Sequence, residues 1–472
     1  MDIFQAKELN LTMKKLLKGG FVVTPRGSRR ADVLLDGEKI AQVGHISPAE
    51  AKSAEVTDVS GCYLFPGFID AHTHFDLDVC NTTTADDFES GTRSAIRGGT
   101  TTVIDFACPN KGESLAYGLD LWHKKADGRC SCDYGFHMTI DDWNESIAGE
   151  LDAMFDAGIT SFKMYLTYPA MMIGDGAVYA ALKALTARGG IAGVHCENAG
   201  VIDARIAELK AVGRAAEVSA HPEARPDYLE AEAVARLLRI SEAADAPVVI
   251  VHLTNAEALR EVEAARARGQ KVYVETCPQY LALDDGVYYD ANWSMAARYV
   301  CAPPIRSEEN QAALWRGLRR GEIQTISTDH CSFTLAQKDM GRGDFTKIPG
   351  GLPGVETRGE VVYTRGVAAG NMTVAGMCRT LCENPAKLYG LYPRKGVIAV
   401  GSDADIVVYD PKASHILSAR DMVTRAGYTP FEGLRTEGGI AKVYLRGSLM
   451  VEDGKIVGGR EGQYLRRGLC SL

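Results

Sequence analysis

The sequence predicts an α/β chain in which a (β/α)8 TIM barrel is joined to a small β-sandwich domain built from both chain ends. Two observations predict the barrel: eight short apolar segments recur through the middle of the chain, and the stretches between them carry helical periodicity. Strands that alternate with helices form parallel sheets, and eight such units close into a barrel. Strand patterns at both ends of the chain predict the second domain.

The barrel is expected over residues 66–394. Its strand candidates are Phe65–Asp70, Thr101–Phe106, Tyr134–Met138, Ser161–Tyr165, Ile191–His195, Val248–His252, Val272–Glu275 and Ile323–Asp329. Between the strands, Thr254 and Glu257 predict a capping box that opens the helix after the sixth strand.

The β-sandwich is expected over residues 14–65 and 395–460. Its strand patterns are Phe21–Thr24, Asp32–Gly37, Lys39–Val43, Ala404–Tyr409, Lys442–Gly447 and Leu449–Val457. Neither end is large enough to bury both faces of a sheet alone, so we expect the two ends to pair. The polar tail 461–472 is expected either to be disordered or to contact another subunit. Met13 has the context of an alternative start, which predicts that residues 1–12 lie outside the fold.

Composition argues against several classes of partner. The chain has 472 residues and a formal net charge of −9, which disfavours nucleic acid or an anionic membrane as the main partner. No apolar stretch is long enough for a spanning helix, and the first residues lack a secretory signal. The twelve cysteines include no Cys-x-x-Cys and mostly lie in or beside apolar segments. Free thiols of this kind predict a cytoplasmic location.

Metal-binding side chains follow several of the predicted barrel strands. His72 and His74 close the first strand, and residues i and i+2 of an extended segment point the same way, so both rings can bind one metal ion. His195, His252 and Asp329 end the fifth, sixth and eighth strands. The carboxyl ends of barrel strands meet at one face, where barrel enzymes carry their chemistry. The pattern therefore predicts a metal site.

Lys163 lies within the fourth predicted strand, Ser161–Tyr165. A lysine is rarely buried without a partner because its ammonium loses hydration. One interpretation is a side chain that reaches the surface. The other is a neutral amine that reacts with carbon dioxide to give a carbamate bridging two cations. We favour the carbamate, because five other ligand candidates surround this strand.

For the other histidines the sequence does not predict a metal-binding role. Those in polar context are predicted to be solvated: His45, His123, His221 and His415. His137 is ambiguous, and His330 is expected beside Asp329 without binding metal. Cys196 follows His195, but alternation turns it to the opposite side, which favours a structural role.

With these ligand candidates in this order, the chain resembles the amidohydrolase superfamily and, within it, the dihydropyrimidinase and D-hydantoinase family. The match runs through Asp86–Thr92, Gly98–Thr102, Lys163 with Tyr168 five residues on, Glu275–Tyr280 and Thr328–Phe333. It spans about Met13 to Arg467, and bacterial phenylhydantoinases are especially similar around Phe333–Arg358.

The resemblance implies two Zn²⁺ per subunit and a cyclic ureide substrate. By this resemblance His72, His74 and Asp329 hold the more buried zinc, His195 and His252 hold the more exposed one, and N6-carboxylysine at Lys163 bridges them. Dihydropyrimidines such as 5,6-dihydrouracil, or 5-substituted hydantoins, would be opened to N-carbamoyl amino acids. The family also implies a homotetramer.

Catalytic and substrate-binding roles come from the same resemblance. Asp329 would move the proton from the attacking water to the departing ring nitrogen, and the Tyr168 hydroxyl would stabilise the oxyanion. Main-chain groups at Ala302 and Gly350 would bind the ureide edge, although Ala302 replaces a serine of the family and Gly350 an asparagine. The exocyclic substituent would contact Leu77, Val79 and Tyr165.

Four other functions are possible for a chain with these ligand candidates. Dihydroorotases usually carry an arginine shortly after His-x-His, where this chain has Phe75-Asp76. Allantoinase fits the Asp86–Thr92 and Thr328–Phe333 stretches less well. A mononuclear deaminase would not need Lys163. A non-catalytic scaffold protein of the family would have lost ligands, whereas all six are present here with Tyr168.

Overall fold

The structure, a computed structural model, describes residues 13–472. The expectation for residues 1–12 lies outside the described residues. The fold class is confirmed: a (β/α)8 barrel occupies the middle of the chain, and beside it lie one sheet built from both chain ends and one built from amino-terminal strands. None of the helices within residues 13–472 is both long and apolar enough to cross a membrane.

Twenty-one strands are present in the described residues. They are β1 (Lys14–Lys18), β2 (Phe21–Thr24), β3 (Gly27–Arg30), β4 (Asp32–Asp36), β5 (Lys39–Gly44), β6 (Ala54–Asp58), β7 (Tyr63–Pro66), β8 (Phe68–Thr73), β9 (Asp78–Val79), β10 (Thr82–Thr83), β11 (Thr100–Ala107), β12 (Asp133–Thr139), β13 (Ser161–Tyr165), β14 (Ile191–His195), β15 (Val248–Ile250), β16 (Val272–Thr276), β17 (Thr325–Ile326), β18 (Ile406–Asp410), β19 (Gly439–Leu445), β20 (Ser448–Glu452) and β21 (Lys455–Ile456).

The same part of the chain forms seventeen α-helices. They are α1 (Pro48–Lys52), α2 (Phe88–Arg97), α3 (Leu115–Ala126), α4 (Glu145–Gly149), α5 (Leu151–Asp156), α6 (Asp175–Thr186), α7 (Ala199–Ala211), α8 (Ala220–Ala224), α9 (Asp227–Ala244), α10 (Ala256–Ala267), α11 (Pro278–Ala282), α12 (Trp293–Ala297), α13 (Glu308–Arg320), α14 (Leu335–Lys338), α15 (Arg358–Val362), α16 (Val374–Cys378) and α17 (Asn384–Leu388). Two π-helical segments, Tyr363–Ala368 and Arg379–Glu383, flank α16.

The barrel sheet contains eight parallel strands in sequence order, β8, β11, β12, β13, β14, β15, β16 and β17. Its first and last strands meet through the residues that follow β17. Thr73 pairs with His330, and the backbone N–H of His74 donates to the His330 carbonyl at 2.8 Å. The sheet is thereby closed, and the ends of β8 and β17 lie side by side.

The observed barrel strands differ from the predicted ones in their bounds. The first apolar run divides at Gly67, so that β7 joins an outer sheet and only β8 belongs to the barrel. A Cβ at Gly67 would lie 2.0 Å from Thr101 Oγ1, so the crossing between the two sheets requires a glycine. β15 and β17 end before His252 and Asp329, because both residues have left-handed backbone (φ 40° and 53°), which interrupts extended pairing.

The second domain contains a seven-stranded sheet in the order β21-β20-β19-β18-β7-β2-β3 and a four-stranded sheet in the order β5-β4-β1-β6. Both chain ends contribute to one apolar core: Leu17, Val33 and Leu64 pack with Ile406 and Tyr444. Strand β18 pairs antiparallel with β7, so the carboxyl-terminal strands continue a sheet begun by amino-terminal ones. Strands from each end of the chain cover apolar side chains that the strands from the other end would leave exposed to solvent.

The tail packs against its own barrel. The Leu465 N–H donates to the Tyr134 carbonyl at 2.7 Å, and Leu465 is 1% exposed. Arg467 is also buried, and its Nη1 donates to Ser161 Oγ at 2.7 Å. The expectation of disorder was wrong, because these residues bond to the amino-terminal ends of β12 and β13 in their own barrel. A contact between the tail and another subunit stays a prediction.

The predicted capping box is also wrong. Asn255 caps α10, and its side chain accepts from the N–H of Ala258 at 2.8 Å. Thr254 is held instead by the buried carboxylate of Glu230, to which its N–H donates at 2.9 Å. The Thr254 hydroxyl also donates to Glu230, so a tertiary contact replaces the capping contact that the local pattern predicted.

Candidate metal and active site

A cavity of about 390 Å³ opens at the carboxyl ends of the barrel strands. Every residue that the sequence analysis assigned to the site lines it: His72, His74, Leu77, Val79, Lys163, Tyr165, Tyr168, His195, His252, Ala302, Asp329 and Gly350. These residues come from five barrel strands or their following loops and from two more distant loops, so tertiary folding alone brings them together.

Four imidazoles and one carboxylate converge on this cavity. Asp329 Oδ1 lies 3.1 Å from both His72 Nε2 and His74 Nε2. The rings of His195 and His252 lie 4.5 Å apart between centroids. Ligand atoms of His72, His252 and Asp329 all lie within 4.8 Å of one another, a spacing at which they could hold one metal ion.

Three of the site residues have left-handed backbone. Tyr168, His252 and Asp329 have φ of 69°, 40° and 53°. This region is unfavourable for residues other than glycine and persists only where the surroundings enforce it. Each residue follows a barrel strand, and its backbone turns there so that the side chain lines the cavity.

Lys163 does not reach the surface. It is 1% exposed, and its Nζ lies 3.4 Å from His72 Nε2 and over the rings of Phe106 and Tyr165 at 4.9 and 5.0 Å. Burial lowers the pKa of its ammonium, although the carboxylate of Asp329 opposes this. The interpretation as a side chain extending to solvent is therefore wrong, and an amine faces the imidazoles.

Buried carboxylates orient two of the imidazoles. His72 Nδ1 donates to Glu275 Oε1 at 2.6 Å, and His195 Nε2 donates to Glu197 Oε2 at 2.8 Å. Each bond leaves the other ring nitrogen as a lone-pair donor, which is the usual arrangement around metal-binding histidines. Sequence reasoning assigned neither carboxylate a role, although Glu197 lies two residues after His195 and Glu275 lies near the end of a barrel strand.

Burial determines the protonation of most groups in the site. It lowers the pKa of His74 to about 4 and lowers that of His195 and His252, so these rings are neutral near pH 7. Burial alone would raise the pKa of Asp329, but the neighbouring His72 and His74 outweigh it and hold the pKa well below its usual range. Burial raises the pKa of Tyr168 well above its usual value, so its hydroxyl can donate.

The residues present fit a metal centre. Neutral imidazoles and an ionised carboxylate are the donors that zinc and similar divalent ions take. Within the described part of the chain, the buried Nδ1 of His252 and Oε2 of Glu275 have no hydrogen-bond partner. Buried polar atoms are normally paired, so unpaired ones beside these imidazoles fit a site for a bound ion.

Loops and helices supply wall residues that the sequence analysis did not assign. The apolar ones are Met171, Ile206, Phe345 and Ile348, and Arg225 adds a guanidinium. Arg225 lies just before α9, between Ala224 and Pro226. The local sequence there gives no indication that this residue contacts the barrel. Its Nη1 donates to Glu197 at 2.7 Å, so its charge is already paired.

His221 was wrongly predicted to be solvated. It is buried in the cavity wall, and its Nε2 donates to the Cys301 carbonyl at 2.8 Å. Burial lowers its pKa to about 3. It lies on a short helix, α8, whose buried face also carries Ala220 and Ala224.

The remaining histidines and Cys196 lie outside the cavity lining. His45 and His415 are exposed and His123 is half-buried. The buried ring of His137 lies between Ser161 Oγ and the Ala71 carbonyl, at 2.6 and 3.0 Å. His330 donates to Asp86, and the Cys196 thiol to a backbone carbonyl.

A (β/α)8 barrel whose strand ends bring together histidines, an aspartate and a buried lysine is the architecture of a metal-dependent hydrolase. A sequence model described as "Amidohydrolase family" matches residues 63–457. The chain belongs to the amidohydrolase family, within its hydantoinase and dihydropyrimidinase group, and is a hydrolase that acts on cyclic amides.

Known relatives are similar over almost the whole chain. A D-hydantoinase of Streptomyces coelicolor is 41% identical over 98% of this chain and 99% of its own length. A D-phenylhydantoinase of Escherichia coli is 40% identical over 96% of this chain and 98% of its own length. The crystal structure of a dihydropyrimidinase from Brevibacillus agri has a TM-score of 0.95 at 39% identity, and covers 98% of this chain and 100% of that one.

Proposed function

We propose that this protein hydrolytically opens neutral cyclic ureides, dihydropyrimidines or 5-substituted hydantoins, to N-carbamoyl amino acids. The observation that carries the proposal is one cavity that is lined both by His72, Asp329 and Lys163 and by apolar side chains. The similar proteins named as hydantoinases and a dihydropyrimidinase support the same reaction class.

The metal centre that we propose is binuclear and contains zinc. His72, His74 and Asp329 would hold one ion, and His195 and His252 the other. Lys163, carbamylated at Nζ with loss of a proton, would bridge them, and its lowered pKa favours the neutral amine that reacts with carbon dioxide. When bound, the two ions supply a Lewis acid and a water acidic enough to react at neutral pH.

The side chains of the site have separate tasks in this proposal. Water attacks the ring amide carbon while Asp329, ionised at neutral pH, takes the proton of that water. Tyr168, which keeps its hydroxyl proton, donates to the carbonyl oxygen as negative charge develops on it. The ring C–N bond then breaks, and Asp329 delivers the proton to the departing nitrogen.

Substrate binding divides the cavity into a polar edge and an apolar wall. Main-chain groups at Ala302 and Gly350 would bind the ureide edge, and Leu77, Val79 and Tyr165 would contact the exocyclic substituent. The guanidinium of the wall, Arg225, is paired with buried Glu197, so it offers little to a substrate carboxylate. This pairing favours neutral rings over dihydroorotate.

The proposal is tested with purified protein. We expect two zinc ions per chain by elemental analysis, and ring opening of dihydrouracil, hydantoin and 5-phenylhydantoin followed by loss of ultraviolet absorbance. A ¹³C-bicarbonate-labelled sample is expected to show a carbamate carbon signal that Lys163→Ala lacks. A protein that holds both metals but opens none of the three rings would disprove the substrate assignment.

We also propose a homotetramer and a cytoplasmic location. The location is supported by cysteines that are all free in the described residues, most of them buried. The oligomeric state is supported by membership of the hydantoinase and dihydropyrimidinase group.

A further inference from the structure

Lys338, at the end of α14, has a buried ammonium group that has no role in the proposed reaction or in the proposed metal centre. It is 1% exposed. Its Nζ donates to the carbonyls of Val300, Pro349 and Gly351 at 2.7, 2.6 and 2.8 Å. An ammonium has three N–H donors, so these three bonds use all of them.

The three carbonyls belong to the two loops that form the polar edge of the cavity. Val300 precedes Ala302 by two residues, and Pro349 and Gly351 flank Gly350. The Gly351 N–H also donates to the Val300 carbonyl at 3.0 Å. Lys338 therefore joins the two loops directly behind the main-chain groups to which we assign the ureide edge.

These loops have few side chains of their own with which to fix that edge. Gly350 has open space where a Cβ would lie, and Gly351 adopts φ 158°. Adjacent glycines leave the backbone free to take several conformations unless something outside the loop restrains it. The three bonds from Lys338 supply such a restraint on both sides of Gly350.

If Lys338 only filled space, an apolar side chain would stabilise the fold more than a buried ammonium does. Burial lowers its pKa to about 8, and among the described residues no carboxylate forms a salt bridge with it. A buried charge held by carbonyl dipoles and by the face of one aromatic ring, Phe333 at 5.7 Å, is costly compared with an apolar side chain of the same volume. The presence of Lys338 is explained if its three directed hydrogen bonds to these loops serve substrate binding, at a cost in stability.

We propose that Lys338 is a positioning residue for substrate recognition, whose ammonium holds the backbone of Ala302 and Gly350 in the arrangement that binds the ureide edge. The inference rests on the proposed function. Since every cyclic ureide shares this edge, the contribution of Lys338 is the same for all 5-substituents. It is separate from the metal centre, which Lys338 does not contact.

The test replaces the ammonium with an apolar chain of similar length, Lys338→Met. We expect KM to rise about tenfold or more, the cost of leaving buried carbonyls without donors, by a similar factor for dihydrouracil, hydantoin and 5-phenylhydantoin. We expect kcat to stay within about threefold, as for lost ground-state binding, with metal content unchanged. Inhibition by acetohydroxamate, which binds metal without a ureide edge, should keep its wild-type constant. Lys442→Met, on the outer sheet, serves as the matched control.

Lys338→Gln guards against a Met variant that does not fold. Its amide can still donate to part of the carbonyl set, so its KM should lie between those of wild type and Lys338→Met. Unchanged KM in a folded variant, a KM change confined to one substituent, or an equal loss of hydroxamate binding would each overturn the inference. If the wild-type protein opens none of the rings while holding its metals, the proposed function fails instead.

Discussion

Tyr168→Phe isolates the hydroxyl proposed to stabilise the oxyanion. The ring of Tyr168 lies 5.1 Å from that of His195 and 6.2 Å from that of Tyr165, and the guanidinium of Arg225 lies over it at 5.7 Å. A phenyl ring keeps each of these contacts and places the same steric demand on the left-handed backbone. The substitution therefore removes one O–H donor and little else.

The expected effect follows from what one donor contributes to a developing oxyanion. Loss of one such donor costs about 10²- to 10³-fold in kcat, or about 2.7–4 kcal/mol of transition-state stabilisation. Burial keeps the hydroxyl protonated across the working pH range, so the full effect is expected at neutral pH. Metal content should not change, because the tyrosine is not among the proposed ligands.

The assay is ring opening of hydantoin at saturating substrate, with metal content measured on the same sample. Tyr134→Phe is the matched control, because its hydroxyl donates to Asp127 at 2.6 Å at the opposite end of the barrel. This control should lose about 1 kcal/mol of stability and none of its kcat. A Tyr168→Phe protein with both metals and kcat within threefold of wild type would refute the oxyanion role.

Four further predictions concern the metal bridge, the substrate, the tail and assembly. Lys163→Ala should lose most bound metal and activity while staying folded, and acetate should partly restore turnover; two retained metals with a near-normal rate would contradict the bridge. Neutral rings should be opened far faster than dihydroorotate, and an aromatic 5-substituent should gain about 1 kcal/mol by stacking on Tyr165; comparable kcat/KM for dihydroorotate and dihydrouracil would rule this out. Leu465→Ala should lower the free energy of unfolding in urea by about 2–5 kcal/mol, because its side chain is fully buried; a loss under about 0.5 kcal/mol would argue against tail docking. Light scattering should show a tetramer, and a monomer at micromolar concentration would contradict it.

Glu197 and Arg225 show how far local reasoning extends around the site. The position of Glu197, two residues from His195, is a local fact, and alternation in an extended segment could have predicted the bond between them. Arg225 reaches the same carboxylate from a loop 28 residues away. No spacing in the sequence relates that loop to the strand, because the approach depends on how α7 to α9 pack over the barrel.

The candidate ligands at the strand ends could be located from the sequence by itself. In a parallel barrel every strand delivers its carboxyl end to one face, so an apolar run closed by His72, His195 or Asp329 locates that side chain without further information. Tertiary structure alone decided the rest: the division of the first run at Gly67, the inward turn of His221 and the docking of the tail on its own barrel. These features depend on close approaches between segments distant in sequence, which periodicity and spacing do not encode.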